Sequence, residues 1–334
     1  MAFQASVSLD PRVLTLLPQA LARVMRSISP DIAQKITEIR LRAGHPLFLA
    51  FGSSDAMLDK EGRLTEDGKE AVHCGVEDLM WVFQTASKSS VYAFEEEIRQ
   101  GFITVEGGHR IGFAGQAVVL NDRVETIKNI GSVNIRLARE IKGCSENVLP
   151  FLIQGGRLLN TIIISPPGCG KTTLLRDLVR QASSGNSKQK LAGATVGLVD
   201  ERSEIAACAG GIPTVDLGPR ADVLDGCPKA VGMIMLIRAM GPRVLVTDEL
   251  GRPEDAVAVR DAVNAGVCVI TSAHAHSVED LLGRPHIGDI IRQGLFDRAV
   301  VLSSEPVPGT VKEIVALRQG KVLFRRKPEG CLCG

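Results

Sequence analysis

The chain has 334 residues, 45% of them hydrophobic and 23% charged, with a formal net charge of +1. That length suits about two domains at roughly 150 residues each, and the composition is that of a globular chain able to bury a core. A charge this close to neutral provides no global basic field for nucleic acid, although it leaves a local patch open, and an aromatic content of 4%, with one Trp (Trp81) and one Tyr (Tyr92), argues weakly against base-stacking platforms.

Eight cysteines stand at 74, 144, 169, 208, 227, 268, 331 and 333 without CxxC or Cys/His ligand spacing, and no signal-peptide pattern is present. Unpaired thiols in a reducing cytosol are expected, with Cys331-Leu-Cys333 read as part of a tail. No apolar run approaches the ~20 residues of a spanning helix, so membrane association is expected to be peripheral or through a partner.

In chain order, residues 9–36 read as helical, with Leu14, Leu17, Leu21 and Val24 at helical spacing. Ile36–Arg42 alternates like a strand, and Arg42–Pro46 turns into a second apolar segment, Leu47–Phe51. Residues 76–90 read as helix. Phe102–Glu106 and Arg110–Ala114 flank Gly107-Gly108, a hairpin signal. Residues 1–142 are thus expected to form an α+β N-terminal domain, with 143–156 as a linker.

From 157 to 334 the pattern changes to apolar strands alternating with helices: Thr161–Ile164, Thr195–Val199, Val244–Thr247, Val267–Thr271 and Ala299–Leu302. Continuous apolar runs suit a mostly parallel sheet covered on both faces, an α/β domain. Ser183–Lys190 reads as a polar loop, and Val311–Leu317 with Lys321–Phe324 as a closing ribbon.

The richest segment is Leu158–Arg180. A β-branched run ends in a Gly/Pro turn, and Gly170-Lys171-Thr172 opens an amphipathic helix. This is the layout of a nucleotide-phosphate cradle: backbone N–H groups face an anion, Lys171 supplies a cation and the Thr172 hydroxyl serves Mg²⁺. Pro167, Gly168, Cys169, Gly170, Lys171, Thr172 and Thr173 are the expected phosphate-binding residues. The first glycine of G-x-x-x-x-G-K-[ST] is Ser165 here. Because Ser165 sits at the strand-to-turn position, ahead of the backbone donors, the substitution is expected to be tolerated.

Val244–Glu249 is an apolar strand ending in two acids, which belong at the carboxyl edge of the same sheet. Asp248 is expected to hold Mg²⁺ through its water shell and Glu249 to polarise the attacking water, a division of labour suited to phosphoryl transfer. A second acidic run, Asp200-Glu201-Arg202-Ser-Glu204, also follows a strand, with Glu204 its foremost candidate. A third strand end brings His274 to the same edge, with His276 a weaker candidate. Arg220, Arg238 and Arg252 are candidates for an arginine offered to a neighbouring subunit. Arg40, Arg42, Arg99, Arg110 and Arg136 fall on strand-like N-terminal segments, and either face the nucleotide or line an interface.

These residues together resemble one family over nearly the whole chain. Glu38-Ile-Arg-Leu-Arg42-x-Gly44-x-Pro46-Leu47, Gly101-x-Ile-Thr-Val-x-Gly107-Gly-His-Arg110-x-Gly112 and Ser132-x-Asn134-Ile-Arg136 look like the N-terminal signature of the stage III sporulation protein AA family. Val199–Ile205, Asp222–Lys229 and Asp248-Glu-Leu-Gly251-Arg252 look like its C-terminal half. The resemblance implies a RecA-like P-loop ATPase domain related to type II/IV secretion and pilus motors, binding and hydrolysing ATP with Mg²⁺. It implies a hexameric ring whose N-terminal domain packs over the nucleotide, with Glu204 and His274 supporting hydrolysis. It also implies a place in the mother cell of endospore formers, cytoplasmic and held at the membrane by proteins of a channel complex to the forespore. The Thr-x-x-His form of the histidine segment, Thr271 to His274, differs from that of the pilus motors.

Two other readings compete. A related family attaches a single-strand-binding module to a similar core, but this chain stops soon after its closing ribbon without a basic extension, so no nucleic acid partner is expected. The other is an assembly scaffold that binds ATP without significant turnover.

Overall fold

A computed structural model of the chain describes residues 9–52, 54–88, 98–99, 101–120, 123–138, 141–208 and 210–326. The chain divides into two compact units, Met1–Ala138 with Ala207–Ala209, and Arg139–Ala206 with Gly210–Gly334.

In the first unit, α1 (Pro11–Leu16), α2 (Gln19–Arg26) and α3 (Pro30–Ala33) replace the single helical stretch expected over 9–36. Proline explains both breaks: it lacks an N–H and pushes the preceding residue out of the helical region. Leu17, before Pro18, is extended at φ −87, ψ 147, and Ser29, before Pro30, at φ −61, ψ 147. There follow β1 (Glu38–Arg42), β2 (Phe48–Ala50), β3 (Asp55–Leu58), β4 (Leu64–Thr65), α4 (Val76–Ala86), β5 (Phe102–Val105), β6 (His109–Leu120) and β7 (Arg123–Arg136). The strands form an antiparallel sheet in the order β4-β3-β2-β1-β7-β6-β5. Ile39 and Leu41 of β1, Ile111 of β6 and Ile135 of β7 share a core with Leu79, Val82 and Phe83 of α4 and with Val13, Leu17, Leu21 and Met25. The expected hairpin is β5–β6, and Gly107 and Gly108 turn it at φ +89 and +76, values glycine adopts without a Cβ penalty.

The second unit contains α5 (Leu149–Leu152), β8 (Ile153–Gln154), β9 (Arg157–Leu158), β10 (Thr161–Ser165), α6 (Lys171–Ser184), β11 (Val196–Asp200), β12 (Ala221–Asp225), α7 (Lys229–Met240), β13 (Val244–Glu249), α8 (Pro253–Asn264), β14 (Cys268–His274), α9 (Val278–Leu282), α10 (Ile287–Arg292), β15 (Arg298–Ser303), β16 (Thr310–Ala316) and β17 (Lys321–Arg325). Residues 143–156 pack into this unit. Ser145, Leu149 and Leu152 are fully buried, and Asp177 of α6 receives the Gly143 and Ser145 amides at 3.0 and 2.8 Å.

The main sheet runs β12-β11-β13-β14-β10-β15-β16-β17. Every pair from β12 to β15 is parallel, while β15–β16 and β16–β17 are antiparallel, giving the expected closing ribbon. Ile162 and Ile164 of β10 join a core with Met233 of α7, Val259 of α8 and Ile290 of α10. Ile163 points to the opposite face by the strand's period of two, and α6 packs on β10, β11, β13 and β14. Strand β12 is the element that apolar pattern misses. It holds two acids in five residues and is half-buried throughout, and it is a strand because each residue from Ala221 to Asp225 pairs with β11.

Candidate functional site

The last residues of five parallel strands, β10 to β14 apart from their helices, are Ser165, Asp200, Asp225, Glu249 and His274. Parallel topology alone collects them at one carboxyl edge, where open α/β sheets bind ligands.

Ser165 ends β10 opposite His274, fully buried, and its hydroxyl donates to the Pro166 carbonyl at 2.7 Å. The turn that follows puts Gly168 at φ +75 and Gly170, the N-cap of α6, at φ +84. A Cβ on Gly170 would lie 3.0 Å from the Gly309 backbone, and the Gly309 amide donates to the Cys169 carbonyl at 3.1 Å. The β15–β16 turn therefore buttresses the loop, a contact that local sequence does not signal. Pro167 accepts the Cys169 thiol at 3.6 Å, and Thr172 and Thr173 lie half-buried in the first turn of α6.

The Lys171 ammonium folds back over this loop. It donates to the Ser165 carbonyl at 3.1 Å, the Pro166 carbonyl at 3.3 Å and His274 Nδ1 at 2.9 Å. An ammonium only donates, so Nδ1 accepts and the imidazole proton sits on Nε2, which reaches Glu249 Oε2 at 2.7 Å. Lys171, His274 and Glu249 thus form one hydrogen-bonded chain. Burial pulls the Lys171 pKa below the usual lysine range, against the opposing pull of Glu249 and Glu204.

Asp248 lies beside this chain. Burial pushes its carboxyl up to about 6, Lys229 opposes the rise, and Asp200 and Glu201 add to it. Its Oδ1 is buried and makes no aligned hydrogen bond, although the Lys229 ammonium lies 3.1 Å away. The β13–β14 register shifts between Val246 and Glu249, an irregularity that re-aims the residues at the strand end. An anionic oxygen with spare accepting capacity fits Mg²⁺, which takes few protein ligands and keeps its waters.

The acidic run after β11 divides by role. The fully buried Asp200 accepts amide N–H groups from Glu204, Ile205 and Ala206 at 2.9, 2.9 and 2.8 Å. Burial raises its pKa and those amides oppose the rise. Arg176 of α6 grips the same loop, donating to the carbonyls of Ile205 at 2.7 Å and Glu204 at 2.6 Å. The Glu204 backbone is therefore fixed from two sides. Glu201 pairs with Lys229, a residue that sequence reasoning missed although it ends the Asp222–Lys229 segment. Burial would lower the Lys229 pKa, but Glu201 and Asp248 outweigh it and raise it.

Other candidates lie elsewhere. The exposed His276 donates its amide to Asp280 at 2.8 Å, beyond the end of β14. Arg220 stands at the amino end of β12, its guanidinium donating to the Ser183 carbonyl at 2.7 Å. Arg238 and Arg252 are exposed. Within the first unit, Arg40 and Arg136 pair with Glu38 at 2.6 and 3.1 Å, Arg99 with Glu125 at 3.3 Å, and Arg42 and Arg110 lie over Phe48 and Phe102.

The family model for sporulation stage III, protein AA matches residues 10–323. The stage III sporulation protein AA of Bacillus subtilis is 41% identical over 313 residues, 94% of this chain and 97% of that one. Among solved structures, the Legionella pneumophila ATPase DotB aligns with a TM-score of 0.58 at 14% identity, over 90% of this chain and 81% of its own. The pilus retraction motor PilT with bound ADP aligns with a TM-score of 0.51 at 15% identity, over 81% of this chain and 75% of its own. At such identities the likeness is one of fold, and the fold is RecA-like. The chain belongs to the sporulation stage III, protein AA family.

Proposed function

We propose that this protein is an ATP-hydrolysing motor that assembles as a hexameric ring and acts in endospore formation. Its expected place is the cytoplasmic side of the mother-cell membrane, docked on membrane proteins of the channel to the forespore. The chain from Lys171 through His274 to Glu249 carries the reading, because it joins a phosphate-loop cation to a carboxylate at the same sheet edge.

The turn amides around Gly168–Thr172 and the N-terminus of α6 bind the phosphates. The Lys171 ammonium leaves the loop carbonyls for the β- and γ-phosphate oxygens, which releases His274 Nδ1 from its donor. Glu249 orients and polarises the attacking water, Glu204, whose charge acts on Lys171, assists it, and His274 couples Glu249 to the occupancy of the loop. Thr172 and Asp248 hold Mg²⁺, which supplies charge neutralisation at the phosphates. Family membership supports the sporulation role, and the RecA-like fold shared with an ATPase and a pilus motor supports the motor reading.

Glu249→Gln tests the assignment. The variant keeps the shape of the site and removes the carboxylate, so ATP binding is expected to persist while phosphate release falls about 100-fold or more. Phosphate release equal to wild type would remove Glu249 from the mechanism.

A further inference from the structure

Lys229 is the first residue of α7, directly after Pro228, and its side chain is 10% exposed. Its ammonium contacts Glu201 and lies 3.1 Å from Asp248 Oδ1. The topology makes such a cation necessary. Strands β11 and β13 run parallel in register, with Val199 opposite Thr247, so Asp200 and Glu201 emerge beside Asp248. Backbone amides answer the charge on Asp200. Glu201 and Asp248 instead share one ammonium, without which two carboxylates in a low-dielectric pocket repel each other.

The oxygen that Lys229 approaches is also the Asp248 oxygen with unused accepting capacity. We propose that Lys229 is a positioning residue that holds Asp248 and Glu201 before nucleotide arrives and competes with the divalent ion for Asp248. Phosphate oxygens then tip the balance toward the ion, so the pocket takes metal together with nucleotide and resists metal alone. This inference rests on the reading of Asp248 as a divalent-ion residue given above.

The test is Mn²⁺ titration of the full-length, nucleotide-free protein, following the paramagnetic resonance signal of unbound Mn²⁺. Lys229→Met is expected to bind Mn²⁺ about tenfold more tightly than wild type, because a competing charge has gone. Lys229→Arg is expected to stay near wild type. Combining Lys229→Met with Asp248→Asn is expected to cancel the gain. In phosphate-release assays, the half-saturating Mg²⁺ concentration for Lys229→Met should drop in the same direction. Equal or weaker Mn²⁺ binding by folded Lys229→Met overturns the proposal, as does a gain that survives Asp248→Asn. If the Met variant does not fold, Lys229→Gln, also uncharged, carries the same comparison. The Mn²⁺ ratio does not depend on turnover. Failure of the wild type to bind or hydrolyse ATP therefore sinks the proposed function and leaves the role of Lys229 to be judged by that ratio.

Discussion

Lys171 donates to two loop carbonyls and to His274, so on the proposed reading nucleotide binding would exchange existing hydrogen bonds for stronger charge-assisted ones to phosphate. Lys171→Ala is expected to abolish tight ATP binding in calorimetric titration. Ser165→Gly is expected to change affinity less than about threefold, a shift below ~1 kcal/mol, because the Ser165 hydroxyl donates to Pro166 at 2.7 Å and accepts from Lys171 only at 3.4 Å. A large loss with Ser165→Gly would mean that the hydroxyl orders the loop. His109 presents a different balance. It is 1% exposed, its Nδ1 accepts the Ala138 amide at 3.1 Å, and Nε2 faces Asp10 at 3.1 Å. Burial holds its pKa below the histidine range against the pull of Asp10. Its contribution to stability is therefore complete above the unfolded value of about 6.5 and is lost as pH falls through the lower folded value. For Asp10, burial would raise the carboxyl, but hydrogen bonds from Arg12 and His109 bring it down to about 2 from 3.8. Its share is present above 3.8 and is lost only toward pH 2. Denaturant midpoints should accordingly fall as the pH drops below about 6.5, and His109→Gln should flatten that slope. A slope that survives the substitution would place the titrating group elsewhere.

At the scale of elements, local rules and tertiary contacts share control. The start of α6 follows from Gly170 at φ +84, whereas its tolerance of a side chain depends on Gly309, far along the chain. Gly168→Ala meets nothing within 4 Å and should lose only the left-handed strain, roughly 1–2 kcal/mol. Gly170→Ala adds a 3.0 Å contact with backbone, so its melting temperature should fall further than that of Gly168→Ala. The reverse order would show that the Gly309 turn moves aside. The N-terminal helices teach a related lesson. Of the residues at helical spacing, Leu14, Leu17 and Leu21 are buried in the core and Val24 packs against it, yet Pro18 and Pro30 break the single helix that spacing predicted. In β12 the strand exists through pairing with β11, and neither periodicity nor propensity announces it.

For the whole molecule, no helix among the described residues is long and apolar enough to cross a membrane. A ring motor should change size with nucleotide. Sedimentation of the wild type with ATP and Mg²⁺ is expected to give a hexamer-sized species, held longest by Glu249→Gln because turnover is blocked. A monomer under every condition, with no phosphate release, would argue against the motor.

The sequence by itself determined the parts of this protein that depend on neighbours in the chain. These are the Gly-Lys-Thr turn around Gly168–Thr172, the acids at the end of β13, the apolar strands and the family signature. Strand alternation with helices sufficed to predict a largely parallel sheet, because continuous apolar runs are stable only when both faces are covered. Tertiary structure decided which polar groups meet. Lys171 and His274 are 103 residues apart in sequence, and Asp10 and His109 are 99 apart. It also assigned Asp200 to backbone amides and Glu201 to Lys229, although both belong to one acidic run. Residue type fixes what a carboxylate can accept, but strand order and register fix which donor stands within reach.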